Sequence, residues 1–214
     1  MPFEPRLDIL PPPQRRLWDE MSTLPESFTL YGGTAIALHL GHRASVDFDF
    51  FGDTCFDPRE LAAQIPFLFG AAITQIEPQT LSMIVDRGGA VKVSFFGLPG
   101  FPRLAPRRRA ANGVHVASLL DLAGTKASVV QVRAEAKDYF DLDALIGAGT
   151  DLPHALTAGR ALYGASFAPQ ATLKALSYFS DGDLASLPAD VRKRLAEAVR
   201  AIDLDLLPTI EPAP

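Results

Sequence analysis

The chain has 214 residues, of which 48% are hydrophobic and 21% are charged, and this balance excludes a disordered tail or a fibrous protein. Its formal net charge is -5, so the molecule as a whole offers no electrostatic attraction to nucleic acid or to an anionic membrane. Any site for a polyanion must therefore be a local patch.

The first predicted elements alternate between helix and strand. A proline-led helix is indicated in LPPPQRRLWDEMSTLPES, because Pro is tolerated in a first helical turn. The strand FTLYGG ends on glycine and is followed by a helix over residues 34–40 that stops at Gly41. The β-branched and aromatic residues of VDFDFF predict a second strand.

A surface helix and further strands come next. Asp57 and Pro58 have the positions of an N-cap and a first helical residue in DPRELAAQIPFL. Strands are predicted at AAITQIE, TLSMIVD and AVKVSFFG, and the RGG between the last two indicates a hairpin. A basic loop, FPRLAPRRRAANG, and a brief strand, VHVA, complete this region.

From Ser118 onward the sequence predicts helices almost throughout. The helical segments are SLLDLAGTKASVVQV, KDYFDLDALIG, LPHALTAGRALYG, APQATLKALSYF and PADVRKRLAEAVRAI, and the proline-rich tail LPTIEPAP is expected to be loose. We therefore predict an α+β protein with a mixed α/β domain over residues 1–117 and an all-helical C-terminal domain over residues 118–214.

Two carboxylates stand one residue apart within VDFDFF. Alternate side chains of a strand share a face, so Asp47 and Asp49 are expected on one face, with Val46, Phe48 and Phe50 on the other. Close carboxylates repel unless a cation lies between them, and Mg²⁺ prefers one or two carboxylates together with phosphate oxygens and water. Asp47 and Asp49 are therefore candidate metal ligands. The alternative is that both are solvated on an exposed face.

Gly32, Gly33 and Thr34 lie at the predicted strand-to-helix turn. Missing side chains let a ligand approach the backbone, and a helix N-terminus presents N–H groups to an anion. Thr34 is expected to serve as N-cap or to turn its hydroxyl toward a phosphate; the alternative is an ordinary turn. Next to an acidic strand, this turn supplies the phosphate cradle and metal pair that phosphoryl or nucleotidyl transfer requires.

Three other sets of residues are candidates for a site. Arg43 either clamps a phosphate or pairs with Asp47 or Asp49 as a structural bridge, and Ser45 is expected to cap the start of the acidic strand. The basic clusters Arg107, Arg108 and Arg109, and Arg192, Lys193 and Arg194, are either solvated or contacts for an RNA backbone.

The position of the chain in the cell is predicted from three features. The only cysteine, Cys55, excludes an internal disulfide, fits a reducing compartment and is expected to be a buried, unreactive thiol. The start MPFEPRLDILPPP lacks the basic and apolar regions of a signal peptide. No apolar stretch reaches the ~20 residues that cross a bilayer. We expect a cytoplasmic protein with no membrane partner.

The stretch YGGTAIALHLGHRASVDFDFF resembles the signature of the nucleotidyltransferase AbiEii/AbiGii toxin family, a branch of the DNA polymerase β-like nucleotidyltransferase superfamily. The superfamily pattern G-[GS]-[ST] followed by D-x-D matches Gly32–Thr34 and then Asp47 and Asp49. A second block, DLAGTKASVVQVRAEAKDYFDLDALI, is similar to the later family motif, with matches at Lys126, at Lys137 with Asp138, and at Asp141. The resemblance covers residues 13–147.

The resemblance implies a nucleotidyltransferase-type mixed sheet flanked by helices and followed by an all-helical region. It implies that Asp47 and Asp49 hold Mg²⁺ against a nucleoside triphosphate, that Lys126 neutralises triphosphate or leaving-group charge, and that Asp138 is a further catalytic acid. The candidate nucleotide-binding set is Gly32, Gly33, Thr34, Arg43, Ser45 and Lys126. Because members are typically toxins, the expected partners are a nucleoside triphosphate, an RNA acceptor such as tRNA, and a cognate antitoxin.

One position departs from the superfamily pattern. Many members carry a third carboxylate on a later strand, where it binds metal and accepts the proton of the attacking hydroxyl. Here the strand AVKVSFFG has Ser94 at that position. Either Asp138, Glu77 or Asp86 serves instead, or the chemistry is altered or lost.

Lys126 and Asp138 cannot share a face of one straight helix, because at about 100° per residue they would lie about 120° apart. Their joint action requires an interruption, which we predict near residues 132–137. Without the resemblance, Lys126 is expected to extend its ammonium group from an apolar helix to water. KDYFDLDAL is then only a helix whose acidic first turn complements the helix dipole.

The favoured function is thus Mg²⁺-dependent nucleotidyl transfer from a nucleoside triphosphate to an RNA, in a toxin. One alternative is a catalytically altered module of the same fold that binds a nucleotide or a partner without turnover. Another is transfer to a protein or a small molecule, which the acidic overall charge favours.

Overall fold

A computed structural model describes residues 3–210 of the chain. It contains two compact units, one of residues 3–101 and 107–117 and the other of residues 102–106 and 118–210. The predicted α+β class is confirmed: the described residues form a mixed seven-stranded sheet and eight α-helices. Residues 211–214 of the tail that was expected to be loose lie outside the described residues.

The sheet lies entirely in the first unit. Its strands are β1 (Phe28–Tyr31), β2 (Phe48–Gly52), β3 (Ala72–Glu77), β4 (Thr80–Asp86), β5 (Ala90–Gly97), β6 (Arg108–Arg109) and β7 (His115–Val116). They are arranged in the order β3-β4-β5-β2-β1-β7-β6. The acidic strand β2 is central, antiparallel to β1 and parallel to β5, while β1 is parallel to β7.

One face of this sheet carries the core of the first unit. The helices of this unit are α1 (Pro12–Glu20), α2 (Gly32–Leu40) and α3 (Pro58–Gln64). Phe48 and Phe50 of β2 are completely buried; Trp18 of α1 stacks on Phe48 at 6.2 Å between ring centroids, and Phe95 stacks on Phe50 at 5.4 Å. Because side chains alternate along a strand, Asp49 lies on the opposite face.

Three local predictions need correction, while the Asp57 cap is confirmed by its bonds from the N–H groups of Arg59 and Glu60. Helix α2 begins at Gly32 and not at residue 34. Val46 is exposed, because β2 begins only at Phe48 and Val46 belongs to the preceding loop. Cys55 is exposed and not buried, because it lies in the loop between β2 and α3.

The second unit is helical, as predicted. Its helices are α4 (Leu119–Val129), α5 (Ala136–Gly147), α6 (Leu152–Tyr163), α7 (Pro169–Ala175) and α8 (Ala189–Arg200). Ser118 caps α4 by accepting a bond from the N–H of Asp121. The predicted interruption is confirmed, since α4 ends at Val129 and α5 begins at Ala136. None of the helices in the described range is long and apolar enough to cross a membrane.

Helices α4 and α6 approach each other closely at Gly124. A Cβ atom placed there would lie 2.8 Å from the carbonyl carbon of Ala158 and 2.9 Å from the nitrogen of Gly159. Both are backbone atoms of α6, which cannot move aside as a flexible side chain can. The absence of a side chain at Gly124 therefore sets the spacing of the two helices.

We predict that Gly124→Ala lowers the free energy of unfolding by about 1–3 kcal/mol, because it forces α4 and α6 apart. Gly147→Ala is the matched control, since no atom lies within 4 Å of a Cβ at that helical position. Urea denaturation of both variants measures the difference. Equal stability of the two variants would contradict the close helix contact.

Candidate active site

Asp49 lies at the centre of a row of residues that crosses the face of the sheet opposite Phe48 and Phe50. In the strand register it is paired with Tyr31 on β1 and with Ser94 on β5. Paired residues of neighbouring strands share a face, so the Ser94 side chain lies beside the Asp49 carboxylate. The predicted correspondence between Ser94 and the missing third acid is consistent with this register.

The glycine turn is in direct contact with this carboxylate. Gly32 has a φ of +73°, and a Cβ atom placed on it would lie 2.9 Å from Oδ2 of Asp49. Gly32 is also the first residue of α2, whose first N–H groups have no partner within the helix. Asp49 is thus held next to bare backbone at the positive end of a helix.

Thr34 links the glycine turn to the other aspartate. Its hydroxyl donates to the backbone carbonyl of Asp47 and lies 2.8 Å from the Ser45 hydroxyl. The prediction that Thr34 caps the helix is wrong, since Tyr31 has the N-cap position and Thr34 is the buried third residue of α2. Ser45 is likewise buried. The two hydroxyls therefore fix the loop that carries Asp47 just before β2 begins.

Asp47 itself is half-buried and lies one residue before the first residue of β2. Arg43, in the loop that follows α2, donates from Nη1 to the carbonyl oxygen of Ala44 at 3.0 Å. This contact fixes the guanidinium near the loop backbone, and both alternatives for Arg43, a phosphate clamp or a bridge to an aspartate, stay predictions.

The position of the absent third acid is filled by a pair of buried serines. Ser82 of β4 donates to Ser94 at 3.1 Å, and both side chains are buried. Glu77 is opposite Thr80 at the outer strand β3, three strand spacings or about 14 Å from β2. Asp86 accepts bonds from Gly88 and Gly89 in the hairpin turn, about 13 Å along β4 from Ser82. Neither of these two acids can therefore replace the missing one beside Asp49.

In the second unit, Lys126 is at the centre of a buried ion cluster. Its Nζ lies 2.6 Å from Oδ1 of Asp138 and 2.8 Å from Oδ2 of Asp141, and all three side chains are buried. Arg133, in the segment between α4 and α5, binds the second oxygen of Asp138 at 2.7 Å. The interruption of the helix thus brings Lys126 and Asp138 together, as joint action requires.

The charge state of Asp138 follows from this cluster. Burial would raise its pKa, but hydrogen bonds from Arg133 and the charge of Lys126 outweigh burial and hold the pKa below its usual value. A carboxylate with a lowered pKa contributes stability above its unfolded pKa of about 3.9, and this is lost as the pH falls through the folded value. Asp138 is therefore a charged anchor for Lys126 at neutral pH.

Sequence reasoning missed Arg133 and Ser82. In the sequence Arg133 is only a basic residue five positions before Asp138. Such a residue cannot be told from a solvated surface arginine until α4 and α5 fold together. Ser82 alternates with apolar residues along β4, as an ordinary exposed strand residue does. Its burial against Ser94 depends on the pairing of two strands.

The two predicted basic clusters are partly used within the protein. Arg107 donates to the carbonyl oxygen of Glu26 at 2.7 Å, and Arg109 pairs with the Glu26 carboxylate at 3.4 Å. Arg194 forms two hydrogen bonds with Asp143 and a third with Asp190. These contacts reduce the positive charge that either cluster presents to an RNA.

The mixed sheet, with a glycine-led helix placed against the acidic strand, defines a fold of the nucleotidyltransferase class. In its fold the chain resembles MenT4, a nucleotidyltransferase toxin from Mycobacterium tuberculosis, with a TM-score of 0.60 and 16% identity over 89% of this chain and 84% of that one. It also resembles JHP933 from Helicobacter pylori, with a TM-score of 0.53 and 16% identity over 87% of each chain. At this identity the likeness shows the fold alone.

The family described as nucleotidyl transferase AbiEii toxin, type IV TA system, matches residues 16–211. The chain belongs to this family, which places it among the nucleotidyltransferase toxins of toxin-antitoxin systems. The family resemblance seen in the sequence is thereby confirmed. A curated relative, aq_aa25 of Aquifex aeolicus, is 35% identical over 118 residues, and this match spans 54% of the chain and only 55% of the relative's length.

Gly32→Ala is predicted to lower the free energy of unfolding by about 1–3 kcal/mol more than Gly100→Ala. Both glycines have a positive φ, but a Cβ atom at Gly100 meets no atom within 4 Å, whereas at Gly32 it meets the Asp49 carboxylate. The difference between the two variants in urea denaturation isolates this contact from backbone strain. A control that loses as much stability as Gly32→Ala would refute the close approach.

Lys126→Met is predicted to lower the free energy of unfolding by about 3–5 kcal/mol at pH 7, because it removes the buried cation that contacts both Asp138 and Asp141. Lys193→Met removes an exposed lysine that pairs with Glu197 at 3.9 Å and is expected to cost less than about 1 kcal/mol. Chemical denaturation from pH 7 to 3 should show the Lys126→Met cost shrinking as the carboxylates protonate. A cost independent of pH would argue against the ion cluster.

Proposed function

We propose that the protein is a Mg²⁺-dependent enzyme that transfers a nucleotide from a nucleoside triphosphate to an acceptor RNA, such as a tRNA, and acts as a toxin. Family membership supports the reaction class. The single observation that carries the proposal is the contact of the Gly32 backbone with Asp49, which puts a helix N-terminus next to an acidic strand. The triphosphate and the carboxylates can then meet at one place.

In this proposal the phosphates bind at the start of α2. Gly32, Gly33 and Thr34 offer their backbone N–H groups there, and the glycines allow phosphate oxygens to come close to the chain. The Thr34 hydroxyl is hydrogen-bonded to the Asp47 carbonyl and to Ser45, so in this proposal its side chain positions the loop and does not contact the phosphates. Arg43, in the loop between α2 and β2, is the nearby cation proposed for a phosphate oxygen.

Asp47 and Asp49 are the proposed ligands of a magnesium ion. Two carboxylates, with the remaining positions taken by phosphate oxygens and water, form the coordination that Mg²⁺ favours. Among the described residues, no group of three or more His, Cys, Asp or Glu side chains could hold a metal ion. When bound, the ion would neutralise charge on the reacting phosphate. The two aspartates would hold and orient it.

Lys126 and Asp138 are proposed as further catalytic residues, as the family motif implies. Lys126 is the cation that the family motif assigns to triphosphate or leaving-group charge, and Asp138 and Asp141 hold it in one conformation. With its lowered pKa, Asp138 is better suited to positioning Lys126 than to accepting a proton.

The acceptor and the antitoxin are proposed from the family's toxin-antitoxin character. Arg108, which is exposed at the outer strand β6, is the residue of the Arg107–Arg109 cluster best placed to contact an RNA backbone. The buried Ser82 and Ser94 pair favours a second candidate, in which the site binds a nucleotide without transferring it.

Incubation with each labelled nucleoside triphosphate, total RNA and Mg²⁺ tests the proposal. The wild type should label RNA, and Asp47→Asn and Asp49→Asn should each lower the rate by at least about 100-fold, as should chelation of the metal. Asp19→Asn, which changes an exposed acid on α1, is the control and should retain full activity.

Three outcomes would count against the proposal. Transfer that survives both substitutions would remove Asp47 and Asp49 from the site. Nucleotide binding without labelled product would favour the non-catalytic candidate. Label that appears on a protein or a small molecule, and not on RNA, would support nucleotidyl transfer but contradict RNA as the acceptor.

A further inference from the structure

The outer strand β3 exposes an apolar edge. It is the last strand on its side of the sheet and pairs only with β4 in the described chain, and all six of its residues are exposed. It contains neither Lys nor Pro, two residues that protect such edges, and the protective feature that it does have is a bulge between Ile73 and Gln75. The free edge is therefore available to a further strand.

A bulge places both isoleucines of this strand on one face. The register shifts between Ile73 and Gln75, so that Ile73 pairs with Met83 and Ile76 pairs with Leu81. Met83 and Leu81 are buried on the core face, yet Ile73 is 49% exposed and Ile76 is 36% exposed. The core face thus continues to the edge of the sheet as an uncovered apolar strip.

Two further features lie at opposite ends of β3. Phe69, three residues before the strand begins, is 62% exposed. Beyond its other end is an open groove of about 660 Å³, lined in part by Cys55, Phe56, Ile76 and Pro78. The strand therefore has an exposed aromatic ring at its start and a partly apolar recess at its end.

We propose that a second copy of this chain covers the edge, by antiparallel pairing of two β3 strands about a two-fold axis through the Thr74–Gln75 peptide. In this register each Ile73 lies opposite the partner's Ile76, and Thr74 lies opposite the partner's Gln75. Glu77 faces Ala72, so no like charges oppose each other. The strand is thus self-complementary in register, as an isologous interface requires.

The same symmetry accounts for Phe69 and the groove. Antiparallel pairing puts the start of one strand beside the end of the other, so each Phe69 arrives at the groove that contains the partner's Cys55 and Phe56. The aromatic ring enters a recess that has room for it. Each protomer contributes one ring and one recess, and the closed pair leaves no free edge on β3.

The second copy is favoured over an unrelated peptide because the apolar strip, the ring and the groove complement one another under one symmetry operation. Six residues from each strand and one aromatic ring make a small interface. We therefore expect a concentration-dependent equilibrium between monomer and dimer.

Sedimentation or light scattering of the full chain, between about 1 and 200 µM, tests the proposal. The wild type should shift from monomer to dimer over this range. The Ile73→Lys, Ile76→Lys variant should stay monomeric, because each lysine would face a lysine of the partner and the like charges repel. Val132→Lys, at an apolar side chain that is 84% exposed in the helical unit, is the control and should dimerise normally.

Cross-linking tests the register independently. Phe69→Cys should form a covalent dimer with the partner's Cys55 through a short thiol-specific cross-linker, and the product should disappear in the Phe69→Cys, Cys55→Ser double variant. Val132→Cys with native Cys55 is the control and should give none.

A wild type that stays monomeric at 200 µM would overturn the proposal, as would a dimer that survives both lysine substitutions. Cross-linking that does not require Cys55 would also overturn the register. RNA labelling by the Ile73→Lys, Ile76→Lys variant is measured in a separate assay. A failure of the dimer proposal is therefore distinguishable from a failure of the proposed reaction.

Discussion

The contact of Gly32 with Asp49 is the constraint on which the candidate site depends. A carboxylate can lie against the start of a helix only where no side chain separates them, and a φ of +73° makes glycine the residue that suits this position. The consequence is electrostatic: the positive end of α2 and the acidic strand β2 share one space. Hydrogen bonds of Thr34 to Ser45 and to the Asp47 backbone then join the glycine turn to the loop that carries Asp47.

The sheet explains both what this site has and what it lacks. Parallel pairing of β2 with β5 puts Ser94 beside Asp49, and Ser82 satisfies the Ser94 hydroxyl from the next strand. Buried polar groups need partners, so the serine pair is a stable substitute in structural terms, although it supplies no charge. The two carboxylates proposed as ligands would match the preference of magnesium for one or two carboxylates plus phosphate oxygens.

The helical unit is organised around charge in a comparable way. Lys126, Arg133, Asp138 and Asp141 carry two positive and two negative charges, and their mutual contacts compensate for burial. This cluster also explains the interruption between α4 and α5, which no Gly or Pro marks in the sequence. A continuous helix would separate Lys126 from Asp138, and the folded chain instead turns back to join them.

The sequence by itself determined the α+β class, most of the elements, the family and the order of the chemical groups, because periodicity and motif spacing are local properties. It misjudged the start of α2, the position of Val46 and the burial of Cys55, since the ends of elements depend on packing. Only the tertiary structure decided that Gly32 touches Asp49, that Glu77 and Asp86 lie far from it, and that Arg133 joins Lys126. These are contacts between residues distant in the chain or across a turn, and strand pairing and helix packing create them only when the chain folds.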